Sequence, residues 1–146
     1  MNFNFINNST TDQRAIYISN LLIAGFTGRD PVALEKHIQE LEEVGIPRPA
    51  TIPIFFHVGN NLLTQESAIQ VSSTTASGEA EAVILNIADE MWVGLGSDHT
   101  DRKLEATSIV LSKQVCPKPI CSSLWRFKDI EMHWNELEVR SWRLDA

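Results

Sequence analysis

Residues 78–102, GEAEAVILNIADEMWVGLGSDHTDR, decide how this chain is read. In a β-strand the side chains at i and i+2 share a face, so Glu79 and Glu81 project together on the side of Val83, Leu85 and Ile87. That apolar face calls for burial. Two carboxylates at its end then need a strong partner, because unpaired buried charge is costly. A hard cation held through oxygen is one such partner. Asp89-Glu90 reads as a turn, with Met91 to Leu95 returning as the second arm of a hairpin. Asp98 follows that arm, close to where the first arm began, so three carboxylates can meet. The competing reading is a frayed strand end with two hydrated glutamates.

Upstream, Ala15 to Phe26 is rich in β-branched and aromatic residues and reads as a strand with a turn at Thr27-Gly28-Arg29. A helix follows. Asp30 suits the N-cap and Pro31 the first helical position, while Leu34, Ile38, Leu41 and Val44 make one apolar stripe. Gly45 suits the position after the last turn, and Pro47 blocks continuation. Pro47, Pro49 and Pro53 enforce an extended approach to a buried strand, Ile52 to Val58. Ala68 to Ser72 reads as a second, short strand before the polar loop 73–78. Residues 1–14 are expected to be flexible.

Downstream, Ala106 to Leu111 reads as a strand. Leu124, Phe127, Ile130, Trp134 and Leu137 recur at helical spacing and predict a helix over Ser122 to Leu137. Glu138 to Leu144 alternates like a strand. The fold class expected is therefore α+β, mostly β, with two helices, in one domain spanning residues 1–146.

A chain of 146 residues can bury a core of its own. With 43% hydrophobic and 21% charged residues it has an ordinary globular composition. A net charge of −7 offers no basic footprint, which argues against nucleic acid as a partner and against anionic membranes. No apolar run approaches the ~20 residues of a bilayer span. The N-terminus has no basic start followed by an apolar core, so a cytoplasmic location is expected. There the two cysteines, Cys116 and Cys121, are expected as free thiols. Their spacing to His99 and His133 does not favour a zinc site.

The order Pro-Ile-Phe-Phe, turn, Leu-Leu, then Glu-x-Glu, then Gly-x-Gly-Ser-Asp-x-Thr-x-Arg, then a lysine, resembles the fumarylacetoacetate hydrolase superfamily. The phrases LLIAGFTGRD, GLGSDHTDR and LSKQVCPKP look more closely like a bacterial branch of it known mainly as a domain of unknown function. The likeness runs from about residue 16 to 144. It implies a mixed β-roll and a Mg²⁺- or Mn²⁺-dependent enzyme that cleaves, decarboxylates or tautomerises small 2-oxo acids and related dicarbonyls. Glu79 and Glu81 fall on the Glu-x-Glu metal ligands and Asp98 on the ligand aspartate, with Ser97 in place of asparagine. Thr100 and Arg102 match the rest of that motif, and Lys113 falls on the lysine that meets the substrate.

The chain also departs from the superfamily. The stretch between Glu81 and Asp98 is shorter than usual, Lys103 stands where an acidic residue often follows, and Gly-Lys-Ser-Phe-Asp is reduced to Ser112-Lys113-Gln114. Such domains also continue for several more strands, so the likeness implies an incomplete roll: a fragment, a truncated product, or a chain completed by another subunit.

Three carboxylate oxygens leave about three positions open on an octahedral ion, and a 2-oxo acid can fill two of them. The cation would then stabilise an enolate as a Lewis acid, with Lys113 holding developing negative charge. His57 and His99 are the candidate general bases. Arg29 and Arg102 are candidates for binding a substrate carboxylate, Arg102 also for orienting Asp98 from behind. Asp101 reads as a turn residue. Two functions are expected from this: a metal-dependent hydrolase or lyase of a small 2-oxo or 1,3-dicarbonyl acid, or a non-catalytic metal- or ligand-binding domain working only in an oligomer. An open sheet edge favours a homo-oligomer in either case.

Overall fold

Asn2–Asn7 form a strand, β1, in which Asn and Phe alternate so that Phe3 and Phe5 point inward and are buried. A computed structural model of the protein describes residues 1–8, 10–43 and 45–142. β1 pairs antiparallel with β2 (Thr10–Ala15), from Asn2 opposite Ala15 to Asn7 opposite Thr10. The expectation of a flexible N-terminus is therefore corrected. Polar composition concealed a period-2 pattern whose aromatic half belongs to the core.

β3 (Leu21–Gly25) is shorter than the predicted strand and is followed by α1 (Pro31–Glu43). Here the sequence rules hold. Asp30 Oδ1 accepts from the Val32 N–H at 2.9 Å, Ile38 is buried, and Gly45 has φ +89° past the last turn. Val44 lies outside the described residues. β4 (Ile54–Val58) pairs antiparallel with β3, burying Ile23, Phe56 and Val58 together. β5 (Leu63–Thr64) follows a single 3-10 turn. The strand expected at Ala68–Ser72 is absent; these residues find no partner strand and run irregularly to β6 (Ala76–Ser77).

β7 (Ala80–Ile87) and β8 (Glu90–Ser97) form the predicted hairpin, with the turn one residue earlier than expected. Ala88 and Asp89 occupy it with φ +52° and +61°, the left-handed pair that a two-residue hairpin loop requires. The Val83–Leu85–Ile87 face packs inward as expected, whereas Ile84 is exposed. β9 (Thr100–Asp101) pairs with β6 and runs into α2 (Arg102–Glu105).

Two further expectations are corrected. In place of a strand over Ala106–Leu111, Ser108 caps a helix, α3 (Ile109–Gln114), its hydroxyl facing the Leu111 N–H. The cap outweighed the β-branched run. The helix expected over Ser122–Leu137 is three different things. After β10 (Lys118–Pro119), which pairs parallel with β5, β11 (Ser123–Arg126) enters the main sheet. A single turn, α4 (Phe127–Ile130), and a 3-10 stretch at Glu131–Glu136 follow. β11 lies between β1, to which it is parallel, and β8, to which it is antiparallel. That slot supplies backbone partners on both sides, and Leu124 is fully buried there. Of the alternation expected at Glu138–Leu144, residues 138–142 form no strand and the last two lie outside the described residues.

The outcome is α+β with strand predominating: a five-stranded mixed sheet, β2-β1-β11-β8-β7, and three two-stranded pairs. Among the described residues there are four α-helices rather than the two expected, three of them short. Phe3, Phe5, Leu85, Trp92, Ile120 and Leu124 form the main core, with the Phe5 and Trp92 rings edge to face at 4.7 Å. No helix among the described residues is long and apolar enough to cross a membrane.

Candidate functional site

The β7–β8 hairpin brings its two open ends together. Ala80 is opposite Ser97 and Glu81 opposite Gly96, and the Asp98 N–H continues the ladder by donating to the Glu79 carbonyl at 2.9 Å. Ser97 Oγ accepts from the Glu79 N–H at 3.0 Å. Glu79, Glu81 and Asp98 are thus neighbours, as the hairpin reading requires. They differ in surroundings: Glu79 is exposed, Glu81 half-buried and Asp98 buried.

Gly96 has a positional reason. A Cβ there would stand 2.5 Å from Val83 Cγ2 and 3.0 Å from the Pro119 carbonyl. Its absence lets the segment around β10 cross closely over β8, which Ile120 bridges at Gly96. Lys118 is carried beneath Asp98 by that crossing. Its Nζ donates to the carbonyls of His99 at 2.5 Å and Lys113 at 2.6 Å, and stands 3.2 Å from Asp98 Oδ1. Burial lowers the Lys118 pKa, opposed by the attraction of Asp98.

Lys113 reaches the same carboxylate from α3. Its ammonium pairs with Asp98 Oδ2 and lies 3.4 Å from Thr100 Oγ1 and 3.9 Å from Glu79 Oε2. The other Asp98 oxygen, Oδ1, is buried and attracted by Lys118 but not aligned with it as a hydrogen bond, which leaves acceptor capacity unused. Among the described residues Glu81 has no such cation at contact distance. Its carboxyl is pushed up to about 7, by burial first and then by the Asp98 charge, with Lys113 pulling the other way.

Arg102 holds Glu79 rather than Asp98. Its Nη2 is 2.7 Å from Glu79 Oε1, Nε donates to Ser77 Oγ at 2.7 Å and Nη1 to Glu105 Oε2 at 3.1 Å. Burial opposes the Arg102 charge, but Glu79 and Glu105 outweigh it and raise the pKa. Asp101 is indeed a turn residue. It caps α2 through the Lys103 and Leu104 N–H groups and accepts from the Ser73 and Thr75 hydroxyls.

The remaining candidates are not all drawn in. His99 adjoins Asp98, with its Nδ1 buried and unpartnered; burial, and after it Lys118, lowers its pKa. A Cβ on Gly78 would meet the His99 ring at 3.0 Å, so the glycine admits it. His57 is exposed on β4 opposite Leu22, with no hydrogen bond or ion pair to the cluster among the described residues. Arg29 clamps the 3-10 stretch instead, donating to the carbonyls of Trp134 at 2.8 Å and Asn135 at 3.1 Å.

Sequence reasoning overlooked Lys118. Its only signal was a lysine held between two prolines, Pro117 and Pro119, in a stretch with no other visible purpose.

As the side chains stand, no three carboxylate, imidazole or thiol groups among the described residues enclose a metal position. The Lys113 ammonium takes the place between Asp98 and Glu79. The acids offer oxygen donors, the kind a hard divalent cation takes, but in this structure Arg102, Lys113 and Lys118 face Glu79 and Asp98. Neither the curated proteins nor the solved structures contain a match to this chain. Residues 24–146 match the family described as "Protein of unknown function (DUF2848)", and the chain belongs to that family.

Proposed function

We propose that the chain is a divalent-metal-dependent hydrolase or lyase of the fumarylacetoacetate hydrolase type, acting on a small 2-oxo or 1,3-dicarbonyl acid. The observation that carries this reading is the Lys113 ammonium held between Asp98 and Glu79 with Glu81 beside them. Two carboxylates share that ammonium and a third, Glu81, lies near enough to feel the Asp98 charge, which is more acid than a single structural ion pair needs. Glu79, Glu81 and Asp98 would hold Mg²⁺ or Mn²⁺. When bound, such an ion supplies Lewis acidity toward the oxygens of a 2-oxo acid.

The chain's own groups then have distinct tasks. Lys118, tied to two carbonyls, holds Asp98 in place. Lys113 presents an ammonium to negative charge on the substrate. Arg102, half-exposed at the rim, is placed to draw in a carboxylate. His99, whose charged form burial disfavours, adjoins Asp98 and is a side chain able to accept a proton. The finer fold assignment, a mixed β-roll of this superfamily, belongs to the same proposal. So does a cytoplasmic location, with which the free thiols Cys116 and Cys121 accord.

Thermal stability with and without Mn²⁺ tests the metal site. Wild type is expected to gain stability, and Glu79→Ala and Asp98→Ala to gain much less. Equal stabilisation of all three sinks the carboxylate assignment. Turnover of an acylpyruvate and oxaloacetate panel tests the enzyme claim.

A second reading has its own support. Ile84, Val93 and Trp125 sit opposite one another across β7, β8 and β11, and Met91 and Leu95 share their face. All but Val93 are exposed. Such an apolar face favours a homo-oligomeric, non-catalytic binding domain. A monomer by sedimentation at micromolar concentration would remove that support.

A further inference from the structure

The outward face of the five-stranded sheet carries no charged side chain among the described residues. The charged residues of its strands, Asp12, Arg14, Glu81, Glu90 and Arg126, all fall on the core side. Asp12 and Arg14 stand opposite Phe5 and Phe3, and Arg126 opposite Trp92. Glu81 and Glu90 alternate into line with Val83 and Trp92. A sheet face that meets only water carries its polar and charged groups outward. Here the outward side instead holds an apolar row across four strands. Ile6 is opposite Trp125, Trp125 opposite Val93 and Val93 opposite Ile84, with Met91 and Leu95 flanking Val93 along β8. Val93 is already buried, whereas Trp125, Leu95 and Ile84 remain 40%, 50% and 53% exposed. Uncharged polar side chains border the row toward the β2 edge, where Gln13 Nε2 donates to Asn4 Oδ1 at 3.3 Å.

We infer that this face is where a second copy of the chain docks, sheet against sheet about a two-fold axis. The inference rests on the homo-oligomeric reading above and gives it an interface. Charge favours a second copy as the occupant. A molecule of net charge −7 repels its own kind, and here two copies meet without like charges facing each other. A highly charged partner would find nothing on the face to pair with. Size agrees. Five strands ~4.8 Å apart and roughly 20 Å long present about 500 Å² in projection, so two copies cover at least about 1,000 Å², where specific interfaces begin. The distribution is that of an interface too, with an aromatic anchor at Trp125, aliphatic neighbours and a polar rim. One face docking on its own copy closes as a dimer and does not run on into a filament. The two sheets then pack ~10 Å apart, as in a sandwich. Glu81 projects from the other side of β7, so docking leaves the carboxylate–lysine cluster uncovered.

Sedimentation of the wild-type chain at micromolar concentration is expected to give a dimer. Ile84→Glu and Trp125→Glu, at exposed positions on different strands, bring like charges into the contact. Each is expected to weaken dimerisation at least ~30-fold with far-ultraviolet circular dichroism unchanged. Phe55→Glu is the control: Phe55 is 60% exposed on β4, away from this sheet, and its variant is expected to remain a dimer. If wild type is a dimer that both sheet-face variants leave intact, or that Phe55→Glu dissociates equally, the interface is overturned and the homo-oligomeric reading stands. A monomeric wild type overturns both. Flotation of that monomer with phosphatidylcholine vesicles would assign the face to a lipid surface instead.

Discussion

Lys118 Nζ stands 3.2 Å from Asp98 Oδ1, and both side chains are only 3% exposed. A buried ion pair adds little net stability, but losing one member is costly because the other is left charged and unsolvated. Here the lysine also donates to the His99 and Lys113 carbonyls, so its removal takes a donor from each as well as a counter-charge from Asp98.

Lys118→Met is therefore expected to destabilise the chain by about 3 kcal/mol in urea denaturation, even though methionine fills similar space. Lys113 still pairs with Asp98 in that variant, so adding Asp98→Asn should deepen the loss, because the buried Lys113 ammonium then loses its counter-charge. A cost within ~0.5 kcal/mol, as for an ordinary surface substitution, would show that Lys118 is not what holds Asp98.

Stability should fall with rising pH through the Glu81 carboxyl. Its pKa in the folded chain is about 7 against an ordinary 4.5, raised by burial and by the Asp98 charge. The folded state thus keeps a proton that the unfolded state gives up. This contribution is fully present below about pH 4.5, shrinks above it and is lost as pH passes about 7. The melting temperature of metal-free wild type should drop between about pH 5 and 8, and Glu81→Gln should flatten that slope.

Phe5 is 2% exposed and packs edge to face on Trp92. Phe5→Ala is expected to cost about 3–5 kcal/mol in chemical denaturation, the usual loss for an aromatic residue removed from a core. A flexible terminus would give no measurable change.

Ala88 holds φ +52° in the β7–β8 turn, where its Cβ is strained. Ala88→Gly or Ala88→Asn should raise stability by about 1 kcal/mol, seen as a higher melting temperature without a change in far-ultraviolet circular dichroism. A fall in stability would show that the methyl group makes a contact worth more than the strain.

The elements legible in the sequence were those specified by neighbours in the chain. Asp30-Pro31 and Gly45 bounded α1 because caps act within a few residues. The Val83–Leu85–Ile87 alternation and the return after Asp89 marked the hairpin, and the hairpin alone made Glu79, Glu81 and Asp98 neighbours. Where two local signals competed, as at Ser108 against the β-branched run that follows, the sequence did not show which would win. The Asn-Phe-Asn-Phe start carried a period-2 signal too, but β1 needs β2 and β11 beside it before that pattern is worth burying.

Tertiary structure decided the rest. Leu124, Phe127, Ile130 and Trp134 are spaced for a helix, yet Ser123–Arg126 is a strand. The slot between β1 and β8 offers hydrogen bonds along both of its edges, and no short stretch of sequence can display that. The surroundings of Asp98 are of the same kind. The chain spells out one carboxylate and two lysines, at 98, 113 and 118. Only the cap of α3, the close crossing at Gly96 and the exclusion of water around them bring both ammonium groups onto one carboxylate, because a charge placed where water cannot reach must find its counter-charge within the fold.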